Sequence, residues 1–140
     1  MAMLSLSTIA EHLRRVASLP EIIIGISDEE RRLPPEGIIV SSGGIATEAA
    51  LDSFSAPPRQ TATVGVVLQL FAADTARPGV VLTRLEYIRQ AALHQLIGWL
   101  PAGSAISSVV LTAGSEVSAP TDTLPRVHVQ DEYAYRCFLP

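Results

Sequence analysis

The stretch Leu82-Thr-Arg-Leu-Glu-Tyr-Ile-Arg-Gln-Ala-Ala-Leu-His-Gln-Leu-Ile-Gly-Trp-Leu-Pro101 decides the fold, because it is the best-specified helix in the chain. Its apolar residues recur every three or four positions, the spacing of one buried helix face: Leu85, Ile88, Ala92, Leu96 and Trp99. Thr83 and Glu86 have the spacing of a capping box, in which both side chains satisfy free N–H groups at the helix start. The glycine and proline near the end of the stretch are typical of a helix stop. The sequence therefore predicts a helix over 83–97.

An earlier start for this helix stays open, because Pro78 suits a first helical turn and would move the start to near Gly79. A shorter helix of about three turns is predicted near the N-terminus, where Thr8 and Glu11 repeat the capping-box spacing. Its apolar residues have helical spacing and are expected to be buried: Leu6, Ile9, Leu13 and Val16. Pro20 ends it.

Strand character is concentrated in five segments: 21–26, 37–41, 59–72, 108–113 and 126–138. The first two are short and rich in β-branched residues, and we expect them to pair as a hairpin. The third is the longest, more than about 30 Å at roughly 3.3 Å per residue, and should overhang the helix that covers it. The prediction is a single α+β domain over 1–140. It has two main helices on a mixed, mainly antiparallel sheet of about five strands, in the order α-β-β-β-α-β-β.

Segment 42–58 shows neither helical nor strand periodicity, yet it carries the apolar residues Ile45, Leu51 and Phe54. Irregular segments of this length are uncommon in compact domains and are usually functional or disordered. The segment either folds back onto its own sheet or rests on another subunit, and the sequence leaves both open. Together with Arg59 at its end, these three residues are the candidate interface residues.

The sequence indicates no catalytic, cofactor-binding or metal-binding residue. A net charge of −4 argues against nucleic-acid binding through a broad basic surface. Cys137 is the only cysteine, and His12 and His94 fall on polar helix faces, where we expect them to be solvated. A small enzyme or ligand-binding domain would have to gather His94, His128 and Asp131, and this is the weakest alternative.

Targeting signals and membrane segments are not expected either. The longest apolar runs fall well short of the roughly 20 residues that cross a bilayer. The first residues lack the basic start of a signal peptide, which predicts use in a cytosol-like compartment.

The second half of the chain resembles a known family. It contains Ile88-Arg-Gln-Ala-Ala-Leu, then Leu96-Ile-Gly-Trp-Leu-Pro101, Val109-Val-Leu-Thr-Ala-Gly114 and Arg126-Val-His-Val-Gln-Asp-Glu-Tyr133. These stretches resemble the tail terminator proteins of long-tailed bacteriophages: a helix ending in G-W-x-P, a short strand ending in glycine, and a last strand with aromatic residues. Ser115 stands where a second glycine is expected. The motifs cover about 84–135, and the order of elements is similar over most of the chain.

The resemblance implies a structural protein of the virion, or of a prophage-derived tail, with no catalysis and no cofactor. Members of that family form a ring, usually a hexamer, that caps the tail tube, stops tail growth and offers a surface for head joining. The partners it implies are further copies of the chain, the tail tube protein and a head–tail connector protein, with no nucleic-acid sequence recognition and no membrane. Assembly would occur in the host cytoplasm. Another neck or tail-completion protein of the particle is the alternative.

Overall fold

The structure, a computed structural model, describes residues 6–25, 34–52, 59–72, 78–101, 105–120 and 126–139, with the backbone alone at 48–52, 59 and 78. Two helices and five strands follow one another in this order: α1 (Leu6–Arg14), β1 (Glu21–Ile24), β2 (Gly37–Asp52), β3 (Arg59–Ala72), α2 (Pro78–Leu96), β4 (Val110–Gly114) and β5 (Val127–Phe138). One mixed sheet contains all five strands in the spatial order β1-β2-β3-β5-β4. The predicted α+β class and the predicted order of elements are confirmed.

Strands β1 and β2 run parallel, with Glu21 opposite Gly37 and Ile24 opposite Val40. The predicted hairpin between them is therefore wrong. Apolar β-branched runs indicate strands but carry no information about direction, which depends on the path of the chain between them. The other neighbouring pairs in the sheet are antiparallel.

Strand β2 continues far beyond the predicted segment and pairs with β3 as far as Asp52, which lies opposite Arg59. The prediction of an irregular segment from residue 42 is thus wrong up to Asp52, and this part of the chain folds onto its own sheet. A bulge between Ser42 and Gly44 interrupts the pairing. Gly44 there has a φ of +91°, a conformation that favours glycine.

The hydrophobic core lies between the helices and one face of the sheet. Alternate residues of β3 and of β5 are buried there, and in the antiparallel register they lie opposite one another: Ala62, Val64, Val66, Leu68 and Leu70 with Cys137, Tyr135, Tyr133, Asp131 and Val129. Both helices pack their apolar faces on this layer: Ile9, Ala10 and Leu13 of α1, and Ile88, Ala92 and Leu96 of α2. The alternation predicted for both strands and the apolar face predicted for the main helix are confirmed.

Both predicted capping boxes are wrong, because each helix starts earlier. Helix α2 begins at Pro78, as the alternative start required. The Thr83 hydroxyl lies inside the helix and donates to the Gly79 carbonyl oxygen (2.8 Å), the usual bond of a threonine within a helix. Helix α1 begins at Leu6, so Thr8 also lies inside it. The predicted stop is confirmed, since Gly98 has a φ of +78°.

His12 joins the two helices instead of facing solvent, so the prediction of a solvated His12 is wrong. Its ring stacks on Trp99 with a centroid separation of 3.8 Å and an interplanar angle of 8°. Its Nε2 lies 2.9 Å from the Gln95 backbone oxygen, and the Gln95 side-chain amide donates to the His12 carbonyl oxygen (2.7 Å). Trp99 packs against the core, as expected of an anchor at the end of a helix.

Within the part of the chain that the structure describes, neither helix combines the length and the apolar character needed to cross a membrane.

Candidate interaction surfaces

The first candidate surface is the outer edge of β2 at residues 41–47, which we call the β2 edge. Strand β1 pairs with β2 only as far as Val40, so among the described residues β3 is the only strand beside this segment. Residues 42–47 are exposed and uncharged. Ile45 pairs with the buried Val64, so it lies on the helix side of the sheet, but 47% of its surface is exposed. The helical layer therefore ends before it covers β2 here.

The overhang predicted from the sequence lies on β2 and not on β3. The helix-side residues of β3 are buried as far as Ala62, because β5 pairs with β3 over Thr61–Ala72 and the core extends along both strands. The prediction of an overhanging β3 is therefore wrong.

The second candidate surface is β4, the strand at the opposite edge of the sheet. All five of its residues are exposed, including Val110 (50%) and Leu111 (42%). Natural proteins usually protect a free edge with charges or proline, because an open edge pairs readily with another chain. The sequence Val-Leu-Thr-Ala-Gly of β4 contains neither. Apolar residues of the segments just before and after β4 and of the end of α2 are exposed as well: Ile97, Leu100, Ile106 and Val117.

The C-terminal end of β4 is positioned by an ion pair between α2 and β5. The Arg89 guanidinium donates from Nε to both carboxylate oxygens of Asp131 (3.0 and 2.9 Å) and from Nη2 to the Ser115 backbone oxygen (2.9 Å). A Cβ atom at Gly114 would lie 2.6 Å from Arg89 Nη2, so only glycine leaves room for this arrangement. The hydrogen bond to Asp131 raises the pKa of Arg89, and burial, together with Asp131, raises the pKa of Tyr133.

Of the predicted interface residues, Ile45 lies exposed on the β2 edge. For Leu51 and Arg59 the structure describes only the backbone. Leu51 pairs with Gln60, and Arg59 pairs with Asp52. Phe54 lies outside the described residues. Sequence reasoning missed β4 as a surface, although a strand run without charge or proline was a readable signal.

The residues of the enzyme alternative are not brought together. His94 is exposed on α2, and Asp131 is buried in its ion pair with Arg89. His128 pairs with Phe71 on the sheet face opposite Asp131, because odd and even residues of a strand point to different faces. Across the described ranges, no three His, Cys, Asp or Glu side chains are grouped to hold a metal ion.

No protein-family model matches the chain, and no curated protein matches it in sequence. The resemblance to the tail terminator family therefore stays a prediction.

Proposed function

We propose that this chain is a structural subunit of a bacteriophage tail that forms a ring at the end of the tail tube. The ring would stop tail growth and provide the surface to which the head is joined. Its partners would be further copies of the chain, the tail tube protein and a connector protein.

The observation that carries the proposal is the β2 edge, which is exposed, uncharged and carries Ile45. The apolar β4 lies at the other side of the same sheet. Two different surfaces on opposite sides of a subunit make head-to-tail contacts, which close into rings when the rotation between copies allows it. The motif stretches within 84–135 support the tail terminator assignment, and the order of elements agrees with it.

The test combines the purified chain with tail tube protein. We expect light scattering after size exclusion to give a discrete oligomer, and negative-stain images to show rings on one end of each tube and tubes that no longer elongate. An Ile45→Glu variant should form fewer rings, while Val80→Glu, which charges an exposed apolar residue of α2, should behave like the parent. A chain that stays monomeric and ignores tube ends would contradict the proposal.

Particles assembled without this chain distinguish the two structural roles, tail termination and neck completion. Tails of uncontrolled length would support termination. Tails of normal length that fail to join heads would instead assign the chain to neck completion.

A further inference from the structure

We infer that β4 of one copy pairs antiparallel with the β2 edge of the next copy, so that one continuous sheet runs through neighbouring subunits. The inference rests on the proposed function only in requiring that copies of the chain assemble. It adds the receiving surface, β4, and the way in which the two edges meet.

The two edges lie at nearly the same height in the sheet. Val110 of β4 pairs with Ala134, Ala134 pairs with Gly65, and Gly65 pairs with Gly44 on the β2 edge. Just before β4, Ala105 is bridged to Cys137, which is opposite Ala62 and so level with Thr47. A purely sideways displacement of the second copy would make its β1 overlap residues 115–118 of the first, because Glu21 and Ser118 lie at the same level of the sheet, beside Gly37 and His128. A shift along the strands by four residues, the separation of Val66 from Ala62 on β3, avoids this overlap and moves Leu111 from beside Ser42 to beside Thr47.

The strand directions also fit. Three antiparallel steps lead from β2 through β3 and β5 to β4, so β4 runs opposite to β2. Copies related by rotation about an axis roughly along the strands keep the same strand directions. The β4 of one copy and the β2 edge of the next are then antiparallel, like the pairs inside each subunit.

The side chains of the two edges are complementary in character. Leu111 pairs with Tyr133 and Ile45 with Val64, so both exposed apolar side chains lie on the helix side of the sheet. Joining the edges would bring these residues together and remove both from water. Pairing of two β4 strands through a twofold axis would leave the β2 edge open, whereas β4-to-β2 pairing closes both edges of every copy in a ring.

Cysteine cross-linking tests the inference on the full-length chain. One protein carries Leu111→Cys and a second carries Ile45→Cys or Thr47→Cys, both on the helix side of the β2 edge. Mild oxidation of the mixture should give a covalent dimer, while each protein alone should stay uncrosslinked. Ala46→Cys is the matched control, since its side chain lies on the other face of the sheet. The native Cys137 is 1% exposed and burial raises its pKa, so it should not react in the folded protein.

Each outcome is informative. Cross-linking of Leu111→Cys alone, or an oligomer that gives no mixed cross-link, would overturn the inference and leave the ring proposal standing. Mixed cross-links in a protein that does not cap tail tubes would support the interface and contradict the tail function. A chain that is monomeric at every concentration would overturn both.

A charge placed on the edge gives a second measurement. Leu111→Lys should shift the oligomer to monomer, as edge lysines do in natural sheets. Val80→Lys changes another exposed apolar residue, in the first turn of α2, and should leave the mass unchanged. Equal masses for the Leu111→Lys variant and the parent would count against the interface.

Discussion

Arg89 on α2 and Asp131 on β5 form a charge pair at the edge of the core, in which the carboxylate is buried and the guanidinium side chain is 34% exposed. Asp131 lies opposite Leu68 on the helix side of the sheet, between the buried residues Val129 and Tyr133. A carboxylate in such a place requires a cation and hydrogen bonds to offset the loss of its hydration. Arg89 supplies both, and its bond to the Ser115 backbone oxygen extends the link to the end of β4.

Arg89→Leu should destabilise the fold more than removal of both charges. The single variant leaves the Asp131 carboxylate buried without its cation, and we expect it to cost about 2–4 kcal/mol. The double variant Arg89→Leu with Asp131→Leu removes the unpaired charge and should recover part of that loss. Urea unfolding of the two single variants and the double variant measures the coupling. If the losses of unfolding free energy in the two single variants add up to the loss in the double variant, the two side chains are not coupled.

Gly114→Ala should act through the same pair. Its new Cβ would meet Arg89 Nη2 at 2.6 Å and Asp131 Oδ1 at 2.8 Å, so the guanidinium must move away from a buried carboxylate. We expect a loss of about 1–3 kcal/mol in unfolding free energy, as is usual for overpacking. In the Arg89→Leu background the loss should shrink. Gly79→Ala is the control, because nothing lies within 4 Å of a Cβ there and alanine is the better helix former. An equal loss in both backgrounds would contradict this explanation.

The parts of the fold that could be predicted are those in which apolar residues recur at regular intervals along the chain. The alternation of β3 and β5 and the stripe of α2 follow directly from the burial of one face, so the bounds of β3 and the element order came out correctly. The direction of β1 relative to β2 could not be predicted, because a hydrophobic run is the same in either direction. The part of β2 after Val40 was missed for another reason. It is rich in Ser, Gly and Ala, and pairing with β3 makes it a strand despite its weak β propensity.

The candidate surfaces were only partly readable from the sequence. Ile45 was found because an apolar residue in a segment without periodicity is unusual, but β4 was treated only as structure. Asp131 falls on the apolar side of an alternating strand, so its burial was implied by the pattern itself, and only its partner required three-dimensional information. The stacking of His12 on Trp99 depends on how α1 meets the end of α2, which no local pattern reports.

Glu36 should give the protein a small acid-sensitive contribution to stability. Arg84 donates to both of its carboxylate oxygens (2.9 and 2.6 Å), and this hydrogen bonding lowers the pKa of Glu36. The unfolded chain then binds the proton more readily, so the contribution is complete above the ordinary glutamate pKa and is lost as the pH falls through the lowered value. Both side chains are about one-third exposed, so we expect less than about 1 kcal/mol.

Urea unfolding of the parent and of Glu36→Gln between neutral and acidic pH measures this contribution. The parent should be the more stable protein at neutral pH, and the difference should vanish in acid. A difference that is constant across the pH range would assign the effect to packing and not to the charge.

Gly65→Ala should distort the β2 edge, because the bulge of β2 brings two backbones into close contact. A Cβ at Gly65 would lie 3.1 Å from both the carbonyl carbon and the carbonyl oxygen of Gly43, and backbone atoms cannot move aside as the end of a side chain can. We expect a loss of about 1–3 kcal/mol in unfolding free energy. We also expect weaker cross-linking between the β2 edge and β4, since the edge must shift away from β3.

Gly44→Ala is the control that distinguishes backbone strain from displacement of the edge. Its Cβ meets nothing within 4 Å, but the φ of +91° is unfavourable for alanine. Gly44→Ala should lower stability while leaving the cross-linking yield unchanged. A larger loss of cross-linking in Gly44→Ala than in Gly65→Ala would contradict the role assigned to the contact between Gly65 and Gly43.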